Sequence, residues 1–122
     1  MAEKTIGLVA HDEKKDEMVA FALAHKERLS KFNLVGTGTT AGRVAQQSGL
    51  AVTALRSGPL GGDAQLGAMI AEGRLDALIF FIDPMSSMPH DVDVKALTRL
   101  ATLYDILFAC NKSTADAVLA VL

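Results

Sequence analysis

The sequence is poor in the residues that cross-link, ligate or anchor. Cys110 is its one cysteine, which excludes an internal disulfide and a cysteine-rich zinc site. No histidines stand at H-x-x-x-H or H-E-x-x-H spacing, so no metal is expected to be required. There is no basic run and the net charge is −2, which argues against nucleic acid as a partner. No apolar stretch approaches the roughly 20 residues of a membrane span, and the N-terminus carries no apolar signal core. The expectation is a cytoplasmic protein with no membrane partner. No linker, low-complexity segment or clear repeat divides the chain.

What is there suits one domain with a real core, residues 1–122, in which 50% of residues are apolar and 21% charged. Thr5 to Ala10 is a short, nearly all-apolar run, as expected of a strand buried on both faces. Lys15 to Phe32 reads as a helix, with Met18, Phe21, Ala22, Leu29 and Phe32 near one stripe. Leu34 to Thr37 reads as a second strand. It runs into Gly38-Thr39-Thr40-Ala41-Gly42, where a hydroxyl can cap the helix that follows through Val44 and Gln47. Gly49 closes that helix. Ala51 to Leu55 is a third strand. Ser57-Gly58-Pro59-Leu60-Gly61-Gly62-Asp63 is too rich in glycine and proline for a strand or helix interior, so it is a loop. A helix then ends near Gly73. Ala77 to Ile82 is the next strand, and Asp83-Pro84 stops it. A loop from Met85 to about Asp91 leads to a helix over Asp93 to Leu103. Ile106 to Ala109 is a last strand, and Ser113 caps a final helix, Thr114 to Val121.

Strands alternating with helices over short connections mean a parallel sheet covered on both faces. Ligands in such sheets sit at the carboxyl ends of the strands. The unusual polar residues collect there. His11, Asp12 and Lys15 follow the first strand; Thr37, Thr39 and Thr40 the second; Ser57, Gly58 and Asp63 the third; Asp83, His90, Asp91 and Asp93 the fourth. Loops from one sheet edge can converge on one cleft.

Hydroxyls and amides at Thr37-Gly38-Thr39-Thr40 and Ser57-Gly58, with the compact charge of Lys15, suit a phosphate monoester. Neither glycine-rich stretch fits G-x-x-x-x-G-K-[ST] or G-x-G-x-x-G, so a small phosphorylated ligand fits better than a nucleotide. The carboxylates outnumber what a phosphate pocket needs. A carboxylate can take a proton from carbon beside a carbonyl, and a neutral imidazole can polarise that carbonyl or shuttle protons among enediol oxygens. Asp63 itself opens a helix, where an acid is usually only a cap.

LVAHDEKKDEMVAF, TGTT, SGPLGGD, FFIDP and PHDVDVKALTRLA, in this order, resemble the methylglyoxal synthase family over nearly the whole chain. The resemblance implies a three-layer α/β/α fold with a five-stranded parallel sheet of order 3-2-1-4-5, assembled as a homohexamer. It implies a lyase that converts dihydroxyacetone phosphate to methylglyoxal and inorganic phosphate with no cofactor, phosphate also acting as an inhibitor. On it, Asp63 matches the catalytic base and His90 the histidine at the carbonyl and enediol oxygens. Lys15, Thr37, Gly38, Thr39, Thr40, Ser57 and Gly58 match the phosphate- and substrate-binding set, and His11 a substrate-contacting histidine. Asp12, Asp83 and Asp93 are supporting acids. The sequence departs from the family pattern at Val92, commonly proline, and at Ala41, usually glycine. The alternative is a non-catalytic effector-binding module of the same fold, as in the large subunit of carbamoyl phosphate synthetase. Such a module would need the phosphate cradle but neither Asp63 nor His90.

Overall fold

Thr5–Ala10 (β1) lies at the centre of a five-stranded parallel sheet of order β3-β2-β1-β4-β5. The structure, a computed structural model, describes residues 3–85 and 91–122, and of residues 91–93 the backbone only. β1 pairs on one side with β2 (Asn33–Gly36) and on the other with β4 (Ala77–Phe81), Leu8 standing opposite both Gly36 and Ile79. β3 (Val52–Ala54) and β5 (Leu107–Ala109) form the edges. The expected order 3-2-1-4-5 is therefore observed.

The two central strands are buried along nearly their whole length, so consecutive side chains feed opposite cores. Ile6, Leu8, Ala10, Ala77, Ile79 and Phe81 join one apolar cluster. Val9, Leu78 and Phe80 join the other. On the first face lie α1 (Lys15–Ala24), α3 (Gly38–Ser48) and α6 (Lys112–Val121), which bring in Met18, Phe21, Val44, Val118 and Leu119. On the second lie α4 (Gly62–Ala71) and α5 (Asp91–Leu103), with Leu66, Ile70 and Leu97. This is the three-layer α/β/α arrangement. Among the described residues no helix is long and apolar enough to cross a membrane.

Several expectations need correction. The helix read as Lys15 to Phe32 is α1 and a short α2 (Lys26–Leu29), broken at His25 with φ −115 and ψ 22. The apolar stripe runs through the break, because Leu29 still reaches the first core. Gly49 does close α3, with φ +80. No hydroxyl caps α3, since Thr37 holds the N-cap position without a side-chain capping bond. Nor does Ser113 cap α6: Asn111 does, its Oδ1 accepting the Thr114 N–H at 2.9 Å. Asp63 is not an N-cap either. That position belongs to Gly61, and Asp63 sits inside the first turn of α4. α5 begins at Asp91, earlier than the expected Asp93. Most of the loop expected before it lies outside the described residues.

Candidate active site

The sheet changes winding direction between β1 and β4, and the crevice outside their carboxyl ends is where this topology places a ligand. β1 ends at Ala10, and its last peptide carries much of one wall. The Ala10 carbonyl accepts the Lys15 ammonium at 3.0 Å and the Thr40 hydroxyl at 3.4 Å, while the Ala10 N–H donates back to Thr40 Oγ1 at 3.3 Å. Lys15 also reaches Asp12 Oδ1 at 2.7 Å. Two of the ammonium's three donors are thereby used, and the side chain lies buried with its charge at the strand end. Thr40, 1% exposed, braces α3 against β1.

His11 follows. Its main-chain N–H donates to the Phe81 carbonyl at 3.1 Å, and its ring meets Phe80 edge-on. Its Nδ1 accepts the Asp83 main-chain N–H at 2.8 Å. A neutral imidazole whose Nδ1 accepts carries its proton on Nε2, so His11 is set up as a donor from that atom. The Asp83 carboxylate turns to its own loop and accepts the Met85 N–H at 3.0 Å. The ends of β1 and β4 are thus locked together at the switch point.

The opposite wall comes from β2 and β3. Gly38 N–H donates to the Arg56 carbonyl at 3.2 Å, and Gly62 N–H to the Ser57 carbonyl at 2.9 Å. These bonds stack the Thr37–Gly38 turn on the Ser57–Gly58 loop and fold that loop over the start of α4. Gly62 is needed for the closeness of this packing. A Cβ there would fall 2.0 Å from the Arg56 oxygen and 2.9 Å from the Thr37 methyl. Asp63 comes next. It is only 6% exposed, and its carboxylate faces Gly58, where an added Cβ would stand 3.5 Å from Oδ1.

The structure therefore brings His11, Asp12, Lys15, Thr40 and Asp83 together around the β1–β4 ends, and Thr37, Gly38, Ser57, Gly58 and Asp63 into the β2–β3 wall. The first turn of α3 joins the two groups, with Thr39 exposed between the buried Thr37 and Thr40. His90 lies outside the described residues, and Asp93 is described by its backbone alone. Among the described residues, no three His, Cys, Asp or Glu side chains gather as metal ligands would. Sequence reasoning missed Gln65, whose Oε1 accepts the Arg56 N–H at 2.8 Å. Its partner is a main-chain atom, which leaves no signature of residue type.

The family model for the MGS-like domain matches residues 17–110. Methylglyoxal synthase of Agrobacterium fabrum is 61% identical over 115 residues, 93% of this chain and 91% of that protein. The chain belongs to the methylglyoxal synthase family. Methylglyoxal synthase of Brucella ovis is 59% identical over 112 residues, 91% of this chain and 90% of that protein. The crystal structure of methylglyoxal synthase from Elizabethkingia anophelis superposes with a TM-score of 0.92 at 49% identity, covering 97% of this chain and 78% of that one. Membership in the methylglyoxal synthase family makes this chain an enzyme of the lyase class and sets aside the non-catalytic module.

Proposed function

We propose that the chain converts dihydroxyacetone phosphate to methylglyoxal and inorganic phosphate through an enediolate, with Asp63 as general base. One observation carries the reading: a buried carboxylate on the first turn of α4 faces a loop whose residue 58 has no side chain to fill the space before it. The loop is the same one that offers the Ser57 hydroxyl to a phosphate. A base and an anion cradle on one short segment are what a proton abstraction coupled to phosphate loss requires.

In this route Asp63 takes a proton from the hydroxymethyl carbon, and the C–H electrons form the enediolate double bond with the carbonyl carbon. His11, donating from Nε2, and His90, on the family resemblance, stabilise charge on the two oxygens. The proton of the hydroxymethyl-derived hydroxyl then passes to the former carbonyl oxygen, the electrons reform a carbonyl at the hydroxymethyl end, and the double bond shifts to the phosphate-bearing carbon as its C–O bond breaks. Phosphate leaves with that bonding pair, and the enol it leaves behind tautomerises to methylglyoxal. Elimination needs the breaking C–O bond roughly perpendicular to the enediolate plane. A cradle of Lys15, Thr37, Gly38, Thr39, Ser57 and Gly58, braced by Thr40, holds the phosphate out of that plane and supports the charge it gains. Protein groups supply every step, so the route calls for neither metal nor organic cofactor. Assembly as a homohexamer, a cytoplasmic site of action and inhibition by phosphate belong to the same proposal.

The test is to incubate the enzyme with dihydroxyacetone phosphate and measure methylglyoxal and phosphate together. Equal amounts are expected. Glyceraldehyde phosphate as the sole product would mean an isomerase, and phosphate without methylglyoxal would mean a phosphatase.

A further inference from the structure

The Arg56 peptide is the joint at which three parts of the β2–β3 wall meet. Its carbonyl accepts the Gly38 N–H at 3.2 Å, from the turn that opens α3. Gly62, at the start of α4, packs against the same oxygen with no room for a side chain. The Arg56 N–H donates to Gln65 Oε1 at 2.8 Å, from within α4 itself. Arg56 lies beyond the end of β3 at Ala54 and beyond Leu55, whose N–H donates to the Gly36 carbonyl. β3 is an edge strand, so the sheet offers the Arg56 N–H no further partner. Of the three contacts, the one made by a side chain is that of Gln65.

Gln65 stands two residues after Asp63 on the same helix, and Arg56 immediately precedes Ser57 and Gly58. We propose that Gln65 is a positioning residue that fixes the phosphate-binding loop to the helix bearing the base. The bond sets how far the Ser57–Gly58 amides and hydroxyl stand from the Asp63 carboxylate. In a reaction whose outcome depends on the angle of the breaking C–O bond, that spacing matters more than the strength of the bond itself. Gln65 is exposed and contributes nothing to either apolar core, so a purely structural role predicts little from its loss. The kinetic part of the inference rests on the function proposed above.

The experiment compares wild type with Gln65→Met, which keeps length and helix propensity but has no oxygen acceptor, and Gln65→Glu, which keeps an acceptor at the same reach. Three readouts are taken: exchange of the Arg56 amide hydrogen, affinity for inorganic phosphate by calorimetry, and kcat and KM separately. In Gln65→Met the Arg56 amide should lose protection, while phosphate affinity weakens and KM rises roughly 3- to 10-fold, the scale of one hydrogen bond. The turnover number should fall at least as much as KM rises, because the spacing acts on the bond-breaking step, and the melting temperature should stay near that of wild type. Gln65→Glu should regain amide protection and move KM back toward wild type. A Gln65→Met protein with a protected Arg56 amide, or with unchanged phosphate affinity and KM, overturns the proposal. Wild-type enzyme that makes no methylglyoxal would sink the proposed reaction instead, leaving the exchange and phosphate arms to judge Gln65.

Discussion

His11 Nδ1 accepts the Asp83 main-chain N–H at 2.8 Å, joining residues 72 positions apart. The bond closes the crevice between β1 and β4 and decides which ring nitrogen donates. At neutral pH the nitrogen spectrum of His11 should show the Nε2–H tautomer; an Nδ1–H tautomer contradicts the arrangement. His11→Asn places an amide oxygen near the Nδ1 position but nothing at Nε2. It should preserve folding and lower turnover about 10²-fold, the loss typical of one donor to a developing oxyanion.

Asp63→Asn separates base from structural residue. Because Gly61 holds the N-cap position, the substitution removes no N-cap side chain and should leave the melting temperature nearly unchanged. An amide cannot take a proton from carbon, so turnover should fall at least about 10²–10⁴-fold. Phosphate should still bind, since the cradle is untouched. A folded variant keeping more than about a tenth of wild-type turnover would rule out Asp63 as sole base on this scale. Asp12 and Asp93 would then be the next candidates.

Inorganic phosphate should compete with substrate and stabilise the fold. A ligand at about 100 times its dissociation constant adds roughly 2.7 kcal/mol. Thermal melts in saturating phosphate, against chloride at equal ionic strength, measure this. No shift in melting temperature would count against the proposed cradle of Lys15, Thr37, Thr39, Thr40 and Ser57.

Away from the site, Asp116 on α6 accepts His25 Nε2 at 2.8 Å, at the break between α1 and α2, and the Lys112 ammonium at 3.1 Å. The His25 hydrogen bond first, and that of Lys112 second, hold its carboxyl below the usual carboxylate range. A carboxyl depressed in the folded state stabilises the fold above its unfolded pKa of about 3.9 and loses that contribution as pH falls through the folded value. Asp116→Asn should therefore melt slightly below wild type at neutral pH, with the gap closing in strong acid. A gap that persists unchanged to the lowest pH would show that packing, not charge, is what the substitution removes.

The sheet was legible because β1 and β4 are buried on both faces, so their apolar residues run on without a break. The helices were less so. An apolar stripe cannot register the turn at His25, since Met18 and Phe21 before it and Leu29 after it reach the same core. Asn111 and Ser113 are both capping residues, and only the bond to Thr114 distinguishes them. In the candidate site, sequence order alone put the polar residues of the first, second and third connections at the strand ends, where the structure has them. What those residues hold was hidden: Thr40, Lys15, His11 and Gln65 all bond main-chain atoms, and a main chain looks the same at every residue.

The central place of β1 also sets an order of events during synthesis. β1 leaves the ribosome well before one of its two neighbours, β4, which ends only at Phe81. Until then a nascent chain can pair β1 with β2 alone, leaving one row of its amides and carbonyls open beside Ile6, Leu8 and Val9. An unpaired apolar strand edge is a template for pairing with other chains. Ribosomes paused between β2 and β4 should thus hold this enzyme at its most aggregation-prone, and synonymous changes that slow that stretch should lower soluble yield without altering one residue of the product.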